Sequence, residues 1–160
     1  MSDASLPPCG LYRIVKPLAG VEPGHLVYFH NHGNPGAGIY FPESWTHNRA
    51  IFAPKGRTLA PDFDPGALHP LPAEGFYRVD AAFHCCAKKC MRYEPGAMLQ
   101  LGYNGAGRGI LFVPELRGGM ISTPERGTLV DDQALGHLVP LKIVERQAPD
   151  VILPRGIMIH

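Results

Sequence analysis

The chain has 160 residues, 45% of them hydrophobic and 18% charged, with a formal net charge of +1. This length suits one domain with a sizeable core. The near-neutral balance gives no electrostatic footprint for nucleic acid or an anionic membrane, and no apolar run reaches the roughly 18 residues of a spanning helix.

The 19 glycines and 17 prolines punctuate short apolar runs, the pattern of a turn-rich β fold. The opening MSDASLPPCG has no basic n-region and no apolar h-region, so it does not read as a secretory signal and the expected home is the cytoplasm. Four cysteines are too few for a disulfide scaffold.

In chain order, Gly10–Leu18 alternates as a strand and stops near Pro17. His25–Asn31 is rich in β-branched and aromatic residues and is closed by the turn Gly33-Asn34-Pro35-Gly36. Residues 38–41 and 49–52 read as short strands, with a helical turn over Glu43–Asn48. Residues 53–75 carry too many prolines and glycines for a regular element and read as one long loop. Strands follow over Phe76–Cys86, Cys90–Tyr103, Gly109–Val113, Met120–Ser122 and Leu138–Glu145, with a helical turn over Asp131–Leu138. Residues 147–160 form a C-terminal extension ending in an apolar, strand-like segment. No internal repeat stands out. The expectation is an all-β chain: a single domain over residues 1–160, a small β-barrel or β-sandwich of about eight or nine short strands with little helix.

Three of the four cysteines fall in FHCCAKKCMRY, residues 83–93. Read as a hairpin with Ala87-Lys88-Lys89 at its tip, the segment sets His84 across from Arg92 and Cys86 across from Cys90. Phe83, Cys85, Met91 and Tyr93 then face the core, and Cys85 is a small buried hydrophobe. His84, Cys86 and Cys90 share the wet face. Cross-strand Cβ atoms lie about 4.5–5.5 Å apart, which suits two thiolates on one zinc ion or, with adjustment, a disulfide. His84 would be the third ligand, and Lys88 and Lys89 would favour the thiolates. The C-x3-C interval differs from the usual C-x2-C of zinc sites, and bystander thiols are the competing reading.

The second candidate cluster is His30 and His32, two residues apart on one strand and so on one face. Gly24 with His30 and His32 resembles the opening half of the first metal motif of the cupins. That resemblance implies a metal-dependent β-barrel enzyme using His30 and His32. The glutamate that follows in cupins is absent, since Gly36 and Ala37 stand there, and no second motif lies around Gly109 or Gly136. The Gly-rich segment Gly102–Gly107 lacks the Lys-Ser/Thr of a phosphate loop and reads as a turn. Cys9 stands alone before the first strand.

Trp45 in a loop, and Ile157, Met158 and Ile159 as an edge-pairing segment, are candidate partner-binding residues. The leading expectation is a non-enzymatic binding or assembly module acting on a protein partner or on itself. The alternatives are a cupin-like metal enzyme using His30 and His32, and a zinc- or redox-responsive protein using Cys86 and Cys90. Zinc is the one cofactor the residue types suggest.

Overall fold

The structure is a computed structural model and describes residues 5–145. The expected extension, with Ile157, Met158 and Ile159, lies outside the described residues. The first half contains β1 (Gly10–Ile14), β2 (His25–His30), β3 (Gly38–Tyr40), β4 (Pro42–Thr46), β5 (Arg49–Phe52), β6 (Arg57–Thr58) and β7 (Leu68–Pro70). The second contains β8 (Gly75–Val79), β9 (Phe83–His84), β10 (Arg92–Tyr93), β11 (Met98–Tyr103), β12 (Gly109–Phe112), β13 (Glu115–Arg117), β14 (Met120–Ser122), β15 (Thr128–Val130) and β16 (Leu138–Pro140). Among the described residues helix is confined to 3-10 turns at Pro65–Ala67 and Asp132–His137, so the all-β class is as expected.

Among the described residues the strands are more numerous and shorter than expected, and no barrel closes. They form two five-stranded sheets, β6-β3-β2-β1-β7 and β15-β12-β11-β8-β16, with three two-stranded ribbons. Two expected elements differ. Residues 43–48 are not a helical turn but strand β4 and a tight turn, because Trp45 pairs with Ala50 and Thr46 with Arg49 across the ribbon. Residues 53–75 are not one loop, since β6, a 3-10 turn and β7 lie within them. Pro70 fits a strand there because β7 is a sheet edge, where a missing N–H breaks no ladder.

The two sheet orders are the same order, and the chain is an internal repeat. β1, β2, β3, β6 and β7 correspond to β8, β11, β12, β15 and β16, and the ribbons β4–β5 and β13–β14 correspond. The registers agree residue by residue: Tyr12 pairs with Val27 and Pro70, and Tyr77 pairs with Leu99 and Pro140. The matching segments are GLYRI and GFYRV, EPG and EPG, IYFPE and LFVPE, LHPL and LVPL. Local devices repeat too. The Tyr12 hydroxyl donates to the Pro8 carbonyl at 2.7 Å, and Tyr77 donates likewise to Ala73. Gly127 passes so close to Leu111 that a Cβ would lie 2.6 Å from its carbonyl oxygen, and Gly56 crowds the equivalent carbonyl of Ile39.

Each half has its own core. In β1 and β2 alternation turns Tyr12, Ile14, Val27 and Phe29 inward, where they meet Ile39, Leu59 and Leu68. The equivalent residues Tyr77, Val79, Leu99, Leu101, Leu111, Val130 and Leu138 fill the second core. Full burial of each large side chain is worth roughly 1.5–3 kcal/mol. The halves interlock through Leu26, whose N–H donates to the Gly105 carbonyl at 2.9 Å, and through Arg13. The Arg13 guanidinium forks onto both carboxylate oxygens of Asp132 and donates to the Gly107 carbonyl at 3.2 Å. The β4–β5 ribbon completes the contact by lying on the second half.

Candidate metal and thiol sites

The first cluster is built by the β1–β2 ladder. Gly10 pairs with Phe29, so one residue further out Cys9 comes opposite His30, and His32 follows on the same side. The Cys9 sulfur lies 3.3 Å from His30 Nδ1 and 3.8 Å from His32 Nδ1, and the two imidazole centroids are 3.9 Å apart. Around a tetrahedral zinc ion, with Zn–S about 2.3 Å and Zn–N about 2.0–2.1 Å, sulfur and nitrogen ligands stand about 3.5 Å apart. The measured spacings bracket that value.

Asn31 stiffens the group from within. Its backbone N–H donates to the Cys9 sulfur at 3.3 Å, its Oδ1 lies 3.1 Å from that sulfur and 2.8 Å from His32 Nδ1, and its Nδ2 donates to the Pro7 carbonyl at 3.2 Å. The Asn31 oxygen accepts from the Cys9 thiol and from His32 Nδ1–H, so a metal held by this sulfur and nitrogen would displace both protons from those atoms. With Cys9 and His30 half-buried and His32 exposed, the site offers three ligands and keeps a solvent-facing fourth position. His30 and His32 therefore come together as expected, but their third partner is Cys9 and not a cupin-type glutamate. Sequence reasoning missed Cys9 because residues 15–24 separate the two strands, and a connection of that length does not fix register.

The second cluster is the hairpin of residues 83–93. Its expected register holds: His84 pairs with Arg92 and Phe83 with Tyr93, and the Cys85 N–H continues it by donating to the Met91 carbonyl at 2.9 Å. Cys85 is buried in the second core, as expected. The thiol set differs from the one the alternation implied. Beyond Cys85 the pairing ends, the chain turns back with Lys89 at φ 55°, and the sulfurs of Cys85, Cys86 and Cys90 converge within 4.8 Å of one another. The Cys85 and Cys86 sulfurs are 3.6 Å apart. His84 is not part of that group. It lines, with Cys86, Gln133 and His137, a recess of about 290 Å³ beside it.

Backbone amides set the electrostatics here. The Cys90 N–H, the Cys85 thiol and the Lys88 N–H all donate to the Cys86 sulfur, which lowers the Cys86 pKa below that of an ordinary thiol. Cys90 is raised because it shares its proton with, and faces the charge of, Cys86. The Met91 N–H donates to the Cys85 sulfur at 3.3 Å. All four cysteines are free.

Trp45 is engaged within the chain, its indole N–H donating to the Tyr103 carbonyl at 2.8 Å. Among the described residues no helix is long and apolar enough to cross a membrane. No family model, no curated protein and no solved structure matches this chain.

Proposed function

We propose that this chain is a binding and assembly module whose first sheet holds a zinc-class metal ion on Cys9, His30 and His32. The observation that carries the reading is the cluster's spacing, 3.3 and 3.8 Å from one sulfur to two imidazole nitrogens, at the edge length of a tetrahedral site. One thiolate and two neutral imidazoles are a donor set that suits zinc over the hard, oxygen-seeking cations. Four free cysteines fit a reducing cytoplasm.

Elemental analysis of untagged protein, purified under reducing conditions without chelator, tests it. About one zinc per chain is expected, as for one three-ligand site. The ion should be lost in Cys9→Ser and in the double variant His30→Ala, His32→Ala, and kept in Cys86→Ser. Well-folded protein that neither carries nor takes up zinc ends this reading.

A second reading rests on the amides aimed at Cys86. The hairpin is a thiol pair that responds to oxidants, Cys86 as the thiolate nucleophile and Cys90 as its partner across the turn. With peroxide, the two thiols would close one disulfide and two waters would leave, the peroxide being reduced. Alkylation followed by peptide mass mapping tests it. Because the Cys86 pKa is depressed, Cys86 should be modified ahead of Cys9 and Cys90, and its advantage over Cys90 should widen as pH falls from 8.5 towards about 7, where an ordinary thiol is mostly protonated. Equal labelling of the three at every pH would remove the assignment.

A further inference from the structure

The hairpin of residues 83–93 is a part of the second half that the first half lacks. The same two strands are joined by residues 15–24 in the first half and by residues 80–97 in the second. The shorter connection completes an equivalent sheet, so the sheet does not require the longer one. Three of the chain's four cysteines lie in this insertion.

Two local devices bring their sulfurs together. The Cys85 N–H donates to the Met91 carbonyl at 2.9 Å, and the Lys89 N–H donates to the Cys86 carbonyl at 3.0 Å, closing a tight turn that returns Cys90 towards Cys86. Cys85 is only 1% exposed, yet its sulfur is engaged at the hairpin. Its thiol donates to the Cys86 sulfur at 3.6 Å, and the sulfur accepts the Met91 N–H at 3.3 Å. Three sulfurs about 2.3 Å from a common ion stand about 3.8 Å apart in a tetrahedral arrangement and about 4.0 Å apart in a planar trigonal one. The 3.6 Å edge, with all three sulfurs within 4.8 Å of one another, is close to both.

Softness and ligand number decide which ion suits. The donors here are three sulfurs, whereas the first-half cluster mixes one sulfur with two imidazoles. Soft thiolates favour copper(I), and imidazole moves the preference towards zinc. Zinc would lack a fourth protein ligand at the hairpin, since His84 stands outside the group, while a three-coordinate monovalent ion is complete. Three thiolates around such an ion leave two negative charges, and Lys88 and Lys89 lie in the turn between Cys86 and Cys90 to offset them. The Cys90 and Lys88 N–H groups are aimed at the Cys86 sulfur and the Met91 N–H at Cys85, as outer donors that orient charged ligands.

We propose that Cys85, Cys86 and Cys90 form a three-thiolate site for copper(I), separate from the zinc-class site on Cys9, His30 and His32. Each thiol gives its proton to solvent as it binds, and no electron moves, because the ion arrives and stays reduced. An occupied site has no free thiol at Cys86 or Cys90, so the ion and the disulfide of the oxidant reading exclude one another. The inference goes beyond both readings above and depends on neither.

Anaerobic titration of metal-free, reduced protein with copper(I), in competition with the chelator bicinchoninate, tests the proposal. The first equivalent should stay with the protein, and its copper-edge X-ray absorption spectrum should show three sulfur neighbours and no nitrogen. Alkylation and peptide mapping of the loaded protein should find Cys86 and Cys90 protected and Cys9 labelled. Cys90→Ser, a change at an exposed residue, should lose its copper to the chelator. Cys85→Ala should do the same, and if that core variant does not fold, the sulfur count on wild type decides in its place. Copper(I) that stays wholly with the chelator overturns the proposal, as does a centre of two sulfurs, a centre containing nitrogen, or protection of Cys9 in place of Cys86. If copper is not held while Cys86 still alkylates ahead of Cys90, this inference fails alone and the oxidant reading stands. Zinc uptake is scored separately, by its loss in Cys9→Ser.

Discussion

Residues 9, 30 and 32 of the first half and 74, 102 and 104 of the second occupy the same places in the same sheet pattern. In the first half they are Cys, His and His, and they converge on one point. In the second they are Glu, Gly and Asn, and they hold the chain to itself: Glu74 accepts the Ala50 N–H, Gly102 lets the Asn48 carbonyl approach, and Asn104 Oδ1 accepts the N–H groups of Ala106 and Arg108 in its own turn. One backbone thus supports a ligand cluster or a docking surface, depending on three side chains. Function here lies in what the repeat does not repeat.

Exchanging residues between the halves breaks that comparison most sharply. A Cβ at Gly102 would lie 2.5 Å from the Asn48 carbonyl oxygen and 3.2 Å from the Phe112 ring. Gly102→His, which installs the first half's residue, should lift β4–β5 from the second sheet and cost about 2–4 kcal/mol, the range for overpacking and broken buried hydrogen bonds. The reverse change, His30→Gly, removes a half-exposed imidazole and should cost only about 1 kcal/mol, the usual loss for glycine in a strand. Urea unfolding of both variants checks the asymmetry, and equal costs would mean that the close approach at Gly102 does not hold the ribbon.

The all-β class, the existence of β1 and β2, and the register of the thiol hairpin were all legible in the sequence, because each rests on alternation, on residue type or on a short turn. The repeat was not, although GLYRI and GFYRV carry it. Its segments are short, and the connection between the first two strands of each half differs in length: residues 15–24 against 80–97, with the thiol hairpin inserted in the latter. Cys9 was lost for the same reason. Long-range register decides which residues meet, and neither period nor composition encodes it. His84 was assigned to the thiols by extending strand alternation past the point where the chain turns, and Lys89 in the left-handed region marks that point.

Smaller effects sharpen the equivalence itself. Tyr12 and Tyr77 tie their strands to the carbonyl four residues back, so Tyr12→Phe and Tyr77→Phe should each cost about 1 kcal/mol, the net worth of one buried hydrogen bond. If the halves are mechanically alike, the two costs agree, and the double variant is additive because the hydroxyls share no partner. A silent variant on one side would show that its corner is held by packing alone.

The smallest expected effect is at the clamp between the halves. Arg13 hydrogen-bonds Asp132 and holds its carboxyl pKa below the ordinary carboxylate range, with His69 and Arg108 adding to the positive field. A depressed pKa means that the unfolded chain binds the proton more readily, so the clamp's contribution is complete above the unfolded value and is lost as pH falls through the folded one. Asp132 is half-exposed, which screens the pair. Asp132→Asn should therefore cost about 0.5–1 kcal/mol at neutral pH, as expected for a partly solvated ion pair with forked geometry. Stability of wild type and variant, followed by thermal unfolding from neutral pH down to about 2, should converge in the acid limb below the ordinary carboxylate value. A difference that persists undiminished at the acid end would mean that Asp132 acts through its shape and not its charge, and that the halves are held by Leu26 and the β4–β5 ribbon.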